Sequence, residues 1–130
     1  MLIEEKSAKL PAGSRKEEAQ MFEGLWVVQF AGMEGKGGGV VVLTRGRVLG
    51  GDSAFTYIGT YQESTDGLQA SALVQNFSPM VGNVLGISGD FTLSLKVTIA
   101  GEGVLQGEGS TPAAPGFGLK VRLTRRAKMP

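Results

Sequence analysis

The sequence contains neither cysteine nor histidine in its 130 residues. Without cysteine the chain has no disulfide and no thiolate metal site. Without histidine it has no imidazole for acid–base chemistry, for a serine-type triad or for a zinc site. These two absences exclude most zinc enzymes and the common nucleophile–base pairs. We therefore expect a protein without a cofactor, a metal site or a catalytic site.

The chain also lacks an excess of charge of one sign. Its 13 basic and 12 acidic residues leave a net charge of +1, which provides no overall field to attract nucleic acid or a membrane surface. No apolar run approaches the roughly 20 residues of a membrane-spanning helix. The first residues include Glu4 and Glu5 and do not show the cationic start and apolar centre of a signal peptide. We expect a cytoplasmic protein that binds neither nucleic acid directly nor a membrane.

Glycine is the residue that the chain has in excess. The 21 glycines are about twice the ordinary share, and they stand at the ends and bends of apolar runs. This distribution predicts tight turns and strongly curved strands. It favours a closed or sharply bent sheet over a flat one.

The clearest pattern is a strict alternation of apolar and polar residues. It covers residues 91–99, where every odd residue is apolar, and it returns in residues 117–125. A period of two places one face of a strand in a core and the other in water, as in an antiparallel sheet. Further strand-like runs occupy residues 22–31, 39–44, 47–50, 55–63, 68–77 and 104–109. The chain is therefore predicted to be all-β, with eight strands.

Short turns and the lack of an internal helix pattern favour an up-and-down meander of these strands. Closing eight strands into an antiparallel β-barrel would remove both exposed edges. A sandwich of two sheets is the alternative, and periodicity does not separate the two. The many glycines favour the barrel.

The first 20 residues differ in composition from the rest, because eight of them are charged. Such a segment buries too little apolar surface to offset the entropy lost on ordering. We expect a flexible tail over residues 1–20, with a short helical turn over 15–21 as the alternative, since Ser14 to Glu17 has the pattern of a capping box. The barrel domain is predicted over residues 21–128. The patterned region begins at Met21, where translation could also start.

One glycine-rich stretch, residues 32–39, contains a Gly-Lys pair. It lacks the first glycine of a phosphate-binding loop, and Gly37 stands where that loop needs serine or threonine. No helix pattern follows to provide a dipole for phosphate. The stretch is therefore predicted to be a hairpin turn.

Three carboxylates, Asp52, Glu63 and Asp66, lie near one another in the sequence. Asp52 follows a Gly-Gly pair and is expected to bind the backbone of its own turn. Asp66 with Gly67 has the pattern of a two-residue hairpin loop. Since no histidine or cysteine completes an acid–base constellation, the sequence predicts a protein that is not an enzyme.

The large side chains on the apolar faces are candidates for the barrel interior and for a ligand site. They either fill the barrel or, because they alternate with the small residues Gly59, Ala70 and Ala72, surround an apolar cavity for one small ligand. Both interpretations stay open from the sequence. The interior candidates are Trp26, Phe30, Tyr57, Tyr61, Phe91, Leu93, Leu95, Phe117 and Leu119.

Four stretches of the chain resemble the GrlR-type proteins, which are small lipocalin-like, eight-stranded barrels named for a negative regulator of type III secretion in pathogenic bacteria. The stretches are residues 22–26, 37–42, 46–53 and 57–61, and the resemblance extends over residues 21 to about 126. It implies a cytoplasmic, non-enzymatic, homodimeric barrel with an apolar interior.

The most specific stretch of this resemblance reads Gly-Arg-x-Leu-Gly-Gly-Asp-Ser. Its turn motif consists of Gly50, Gly51, Asp52 and Ser53. Physically, it describes a short strand that two glycines turn tightly, with the carboxylate on the turn backbone.

The type member of that family sequesters a transcriptional activator, helped by an acidic run after the fourth strand. In this chain the corresponding position keeps Glu63 and Asp66, which are therefore the candidates for binding a partner protein. The resemblance thus implies a regulatory module that binds a protein partner. The alternative is a carrier or sensor that binds a small apolar ligand inside the barrel.

Overall fold

The structure is a computed structural model that describes residues 21–32, 35–78, 87, 89–116 and 118–130. The predicted tail over residues 1–20 lies outside the described residues. So do Phe117 and most of the predicted loop between the fifth and sixth strands.

Eight β-strands account for all the regular structure of the described residues, and none of these residues belongs to a helix that could cross a membrane. Each strand pairs in antiparallel fashion with the next, and β8 pairs with β1, with Val121 opposite Phe30. This pairing closes the sheet, which confirms the all-β, up-and-down barrel and excludes the sandwich. The strands are β1 (Gly24–Gly32), β2 (Gly35–Thr44), β3 (Arg47–Gly51), β4 (Phe55–Ser64), β5 (Gly67–Asn76), β6 (Phe91–Gly101), β7 (Val104–Ser110) and β8 (Leu119–Ala127).

The prediction of a turn over the whole glycine-rich stretch is wrong, because β2 already begins at Gly35. Residues 35–38 pair with the last residues of β1, and Gly37 lies opposite Phe30. The ring of Phe30 lies so close that a Cβ on Gly37 would stand 2.6 Å from it. The aromatic ring covers the glycine backbone across the strand pair, so the glycines extend the strand rather than end it.

The hairpin between β4 and β5 turns one residue earlier than predicted. Its loop residues are Thr65 and Asp66, and Gly67 already pairs with Ser64 as the first residue of β5. The hydroxyl of Ser64 lies 3.0 Å from the Asp66 carboxylate and 3.1 Å from the Gly67 carbonyl oxygen. These side-chain contacts hold the turn at Thr65 and Asp66.

Two inward-facing glycines show how sharply the strands bend. A Cβ on Gly59 would lie 1.9 Å from the carbonyl oxygen of Ser71, and one on Gly107 would lie 1.9 Å from that of Lys96. At both positions the neighbouring strand occupies the space of a side chain. The excess of glycine in the sequence is thus partly explained by the curvature that a narrow barrel needs.

One end of the barrel is filled by side chains. At this end, called the Trp26 end, Trp26, Val97 and Leu105 are each 1% exposed. The indole Nε1 of Trp26 donates a hydrogen bond to the carbonyl oxygen of Phe22, and the Arg125 guanidinium lies 4.8 Å from the centre of the indole ring. Trp26 therefore closes the base of the barrel.

The apolar face of β6 points into the barrel as the alternation predicts, except at its last member. Phe91 and Val97 are buried, whereas Ile99 is 48% exposed. The pairing of β6 with β7 is irregular between Ile99 and Gly101. Ile99 therefore lies at the end of the barrel wall and does not line the interior.

Candidate functional site

A cavity of about 580 Å³ lies inside the barrel, between the packed side chains of the Trp26 end and the opposite end. This volume is in the range of roughly 300–1,000 Å³ that small-molecule pockets occupy. The cavity reaches the surface where β3 ends, because the exposed Ser53 belongs to its lining. We call this the Asp52 end, after the half-buried carboxylate beside Ser53.

Small side chains on β5 leave the space that becomes the cavity. Ala70 and Ala72 face inward and lie opposite Leu95 and Leu93 on β6. Both leucines point into the barrel, yet they are only half-buried, because they face the cavity rather than other side chains.

Six of the nine predicted interior residues line the cavity. Trp26 and Tyr61 also face inward but belong to the packed core at the Trp26 end, and Phe117 lies outside the described residues. The six lining residues are Phe30, Tyr57, Phe91, Leu93, Leu95 and Leu119.

Other lining residues were absent from the predicted set although their strands were recognised. The same alternation would have identified them, since they share a face with a predicted interior residue of their own strand or, on β5, with Ala70 and Ala72. These residues include Val28, Phe55, Val74, Val121 and Leu123.

A carboxylate organises the wall of the cavity at the Asp52 end. The Oδ1 atom of Asp52 accepts hydrogen bonds from the backbone N–H groups of Ala54, at 2.8 Å, and Phe55, at 2.9 Å. Its own N–H donates to the Phe55 carbonyl oxygen at 2.9 Å. Asp52 thereby fixes the turn from β3, which ends in Gly50 and Gly51, into β4.

The second carboxylate oxygen of Asp52 accepts a hydrogen bond from the Tyr57 hydroxyl. Burial of the ring, followed by this hydrogen bond and the charge of Asp52, raises the pKa of Tyr57 well above its ordinary value. The phenol is therefore protonated at neutral pH. The two side chains form one polar pair, the Asp52–Tyr57 pair, in an otherwise mainly apolar wall.

A glycine on β2 makes room for this pair. A Cβ on Gly39 would lie 3.0 Å from the Tyr57 hydroxyl oxygen and 3.2 Å from the Cβ of Asp52. It would also lie 2.7 Å from the carbonyl oxygen of Gly51. A side chain at residue 39 would therefore push the pair and its turn apart.

The other tyrosine has a different environment. Tyr61 is 5% exposed, and its hydroxyl has no hydrogen-bond partner among the described residues. Burial raises the pKa of Tyr61 to about 12. The Gly46 backbone near the Tyr61 hydroxyl partly offsets this rise, although the contact does not have the geometry of a hydrogen bond. The charges of Glu63 and Glu23 add to the rise. Tyr61 is thus a core residue and does not belong to the lining of the cavity.

The two acidic candidates for partner binding lie at the Trp26 end, away from the cavity. Glu63 accepts a long hydrogen bond of 3.4 Å from the backbone N–H of Phe22. The Asp66 carboxylate accepts a hydrogen bond from the Ser64 hydroxyl. The Asp66 carbonyl oxygen accepts one from the N–H of Ile99 at 2.7 Å. Both residues take part in local structure, and a role in binding a partner stays a prediction.

The outer surface of the barrel carries a row of apolar side chains across five neighbouring strands. Its members lie directly opposite one another in the register, and four of the five are 37–44% exposed. The outer face of β6–β8 differs, because it carries Lys96, Glu108, Lys120 and Arg122. We call the apolar set the outer row; it consists of Leu25, Val42, Leu49, Ile58 and Leu73.

Among the residues that the structure describes, no group of histidine, cysteine, aspartate and glutamate could hold a metal ion. No known protein family matches the chain, and no curated protein matches it. The resemblance to the GrlR-type proteins therefore stays a hypothesis.

Proposed function

We propose that this barrel binds one small, largely apolar molecule in its cavity, as a carrier or a sensor. The observation that carries the proposal is the cavity of about 580 Å³ with walls made mainly of aliphatic and aromatic side chains. A ligand that fills such a space removes apolar surface from water, which contributes about 25 cal/mol for each Å² buried.

The proposal is for binding without chemistry. Among the lining residues that the structure describes, the titratable groups are Lys36, Asp52 and Tyr57. Asp52 and Tyr57 are hydrogen-bonded to each other, and Asp52 also holds its turn. Their arrangement suits recognition of a ligand better than activation of a nucleophile.

The test fills the cavity from within. Ala72→Phe adds a ring on the inward face of β5, and Ser71→Phe adds the same ring at the adjacent, outward-facing and exposed residue. Binding of the neutral fluorophore N-phenylnaphthylamine would be titrated for both variants and for the unchanged protein. We expect one site per barrel, a loss of at least about tenfold in affinity for Ala72→Phe, and unchanged binding for Ser71→Phe.

Two results would contradict the proposal: no binding to the unchanged protein, or equal binding by both variants. Ala70→Leu, which adds less volume to the same wall, serves as a second cavity-filling variant if Ala72→Phe does not fold. Circular dichroism would confirm that each variant keeps its strands.

A second candidate function is protein binding through the outer row, and the exposure of that row favours it. We propose a second copy of this chain as the occupant. The five side chains of the row carry no charge, so two copies of the row can pack together without repulsion, as the symmetric interface of a dimer requires. With strands about 4.8 Å apart, the row is about 20 Å long and one side chain wide. Its area is therefore smaller than the roughly 800 Å² that each partner buries in a standard interface. We therefore expect a weak dimer.

Sedimentation velocity over a range of protein concentrations tests this candidate. Ile58→Lys places a charge inside the outer row, between Leu49 and Leu73, and is expected to give a monomer at every concentration. Thr98→Lys adds the same charge to the exposed face of β6 and is expected to leave the dimer intact. A monomeric unchanged protein would exclude self-association through this face.

A further inference from the structure

We infer that the cavity selects ligands whose polar end donates a hydrogen bond, such as an alcohol or a primary ammonium group, and that the Asp52–Tyr57 pair receives this end. The inference rests on the proposed function, because it concerns a ligand of the same cavity. It adds the chemical class of that ligand and the direction in which the ligand lies.

The distribution of polar groups along the cavity sets the direction. The pair lies at the end where the cavity reaches the surface, whereas Leu68 and Leu123 line the part towards the Trp26 end. On β5 the lining extends from Val74 to Leu68, which is about 20 Å along the strand. With a strand tilt of about 40°, the depth is about 15 Å. A chain-like apolar body fits this space with its polar end at Asp52.

The hydrogen-bonding capacity of the pair sets the chemistry. An ionised carboxylate only accepts hydrogen bonds, and it has about four lone-pair sites. Asp52 uses two sites for the N–H groups of Ala54 and Phe55 and one for the Tyr57 hydroxyl. Tyr57 donates its only hydroxyl proton to Asp52. Both side chains can therefore accept a further hydrogen bond but cannot donate one. A donor on the ligand is the matching group.

The same inventory disfavours an anionic ligand end. A carboxylate would bring lone pairs against lone pairs, and its charge would repel that of Asp52. The Tyr57 hydroxyl provides no donor for such an end, because its proton lies in the hydrogen bond to Asp52.

Lys36 is the one cationic side chain among the described residues that line the cavity. It belongs to the lining, but it is exposed, and its register partner Ala31 occupies an outward-facing position of β1. If the cavity instead selected an anionic end, Lys36 would be the residue to hold it. The experiment below distinguishes these two cases.

The experiment compares four ligands that share one apolar chain: dodecanol, dodecylamine, methyl dodecyl ether and dodecanoate. Each would displace N-phenylnaphthylamine from the full-length protein at neutral pH. The alcohol and the amine are expected to bind about tenfold more tightly than the ether and the carboxylate, since one hydrogen bond to a charged acceptor separates them.

Asp52→Asn should change this preference, because it reverses the polarity of the pair. The amide oxygen can still accept from Ala54 and Phe55, while the amide nitrogen can donate to the Tyr57 oxygen. The Tyr57 proton is then available to the ligand, so the ether and dodecanoate are expected to gain affinity relative to the alcohol and the amine. Asp66→Asn removes the same charge at the Trp26 end and should leave the preference unchanged.

The outcomes separate this inference from the proposed function. Equal binding of the four ligands, or a preference that Asp52→Asn leaves unchanged, would overturn the inference while the cavity remained a binding site. Dodecanoate as the tightest ligand would overturn it in favour of an anionic end at Lys36. Failure of the fluorophore and of all four ligands to bind would overturn the proposed function as well.

Discussion

The indole nitrogen of Trp26 donates a hydrogen bond of 2.8 Å to the carbonyl oxygen of Phe22, four residues earlier. The two rings lie 6.5 Å apart and tilted by 56°, so they close the base of the barrel together. Trp26 and Phe22 thus fill one end of the closed barrel, whereas a cavity occupies the space towards the other end.

Trp26→Ala is expected to lower the free energy of unfolding by about 3–5 kcal/mol, because it removes a buried ring from the filled end. Trp26→Phe keeps an aromatic ring but loses the hydrogen bond, so we expect a smaller loss. Urea unfolding followed by circular dichroism measures both. Leu25→Ala, at the exposed neighbour, is the control, with an expected change of about 0.5 kcal/mol or less; equal losses at residues 25 and 26 would contradict the filled end.

A leucine that borders the cavity and one in the packed core should differ in how much they stabilise the fold. The alternation alone predicts a cost of about 2–5 kcal/mol for Leu95→Ala, but Leu95 is only half-buried and borders the cavity. In the structure, Leu95→Ala is therefore expected to cost less than about 2 kcal/mol, and Leu105→Ala, at a side chain 1% exposed, to show the full loss. Unfolding in urea measures both losses. A cost at Leu95 equal to that at Leu105 would mean that no space adjoins Leu95.

Gly107→Ala is expected to destabilise the barrel by about 3 kcal/mol or more. The added Cβ would lie 1.9 Å from the backbone carbonyl oxygen of Lys96, which cannot move without breaking the strand pair. Gly118→Ala is the matched control, because a Cβ there would meet no atom of the described residues within 4 Å. Thermal unfolding of both variants measures the difference, and similar melting temperatures would argue against the sharp bend at Gly107.

Stability should fall in alkaline solution because burial raises the pKa of Tyr61 to about 12, above its ordinary value of 10.0. An unfolded chain releases the Tyr61 proton near pH 10, while the folded chain retains it, so the unfolded state binds fewer protons above pH 10. The stabilisation is complete below pH 10 and is lost as the pH rises towards 12. Tyr57 acts in the same direction.

Urea midpoints between pH 8 and pH 11 test the alkaline prediction. The unchanged protein should lose stability more steeply above pH 10 than Tyr61→Phe, which has no phenol to ionise at that residue. Identical slopes would show that Tyr61 ionises as readily in the folded barrel as in the unfolded chain.

The alternation in the sequence predicted the fold because side-chain direction in a strand depends only on the parity of the residue number. The inward direction of residues such as Tyr57 and Leu93 could therefore be predicted directly from the sequence. The start of β2 at Gly35 could not, because glycines carry no side chains that could show a face. The hollow interior could not be predicted either, since the free space depends on strand curvature and on which side chains meet across the barrel.

The pairing of Asp52 with Tyr57 was predicted only in part. The role of Asp52 in its turn follows from the Gly-Gly-Asp-Ser pattern. The hydrogen bond to Tyr57, five residues later, depends on the turn bringing the carboxylate back over the inner face of β4. The outer row was missed for a related reason, because its members align only once the register of five strands is known.

The most direct test of the hollow barrel is an NMR titration of methyl-labelled protein with dodecanol. We predict saturable shifts with one ligand per barrel at the inward-facing methyl groups of Leu93 and Val121, and none at the outward-facing methyl groups of Leu49 and Ile58. Shifts confined to Leu49 and Ile58, or no shift at Leu93 and Val121, would contradict a ligand site inside the barrel.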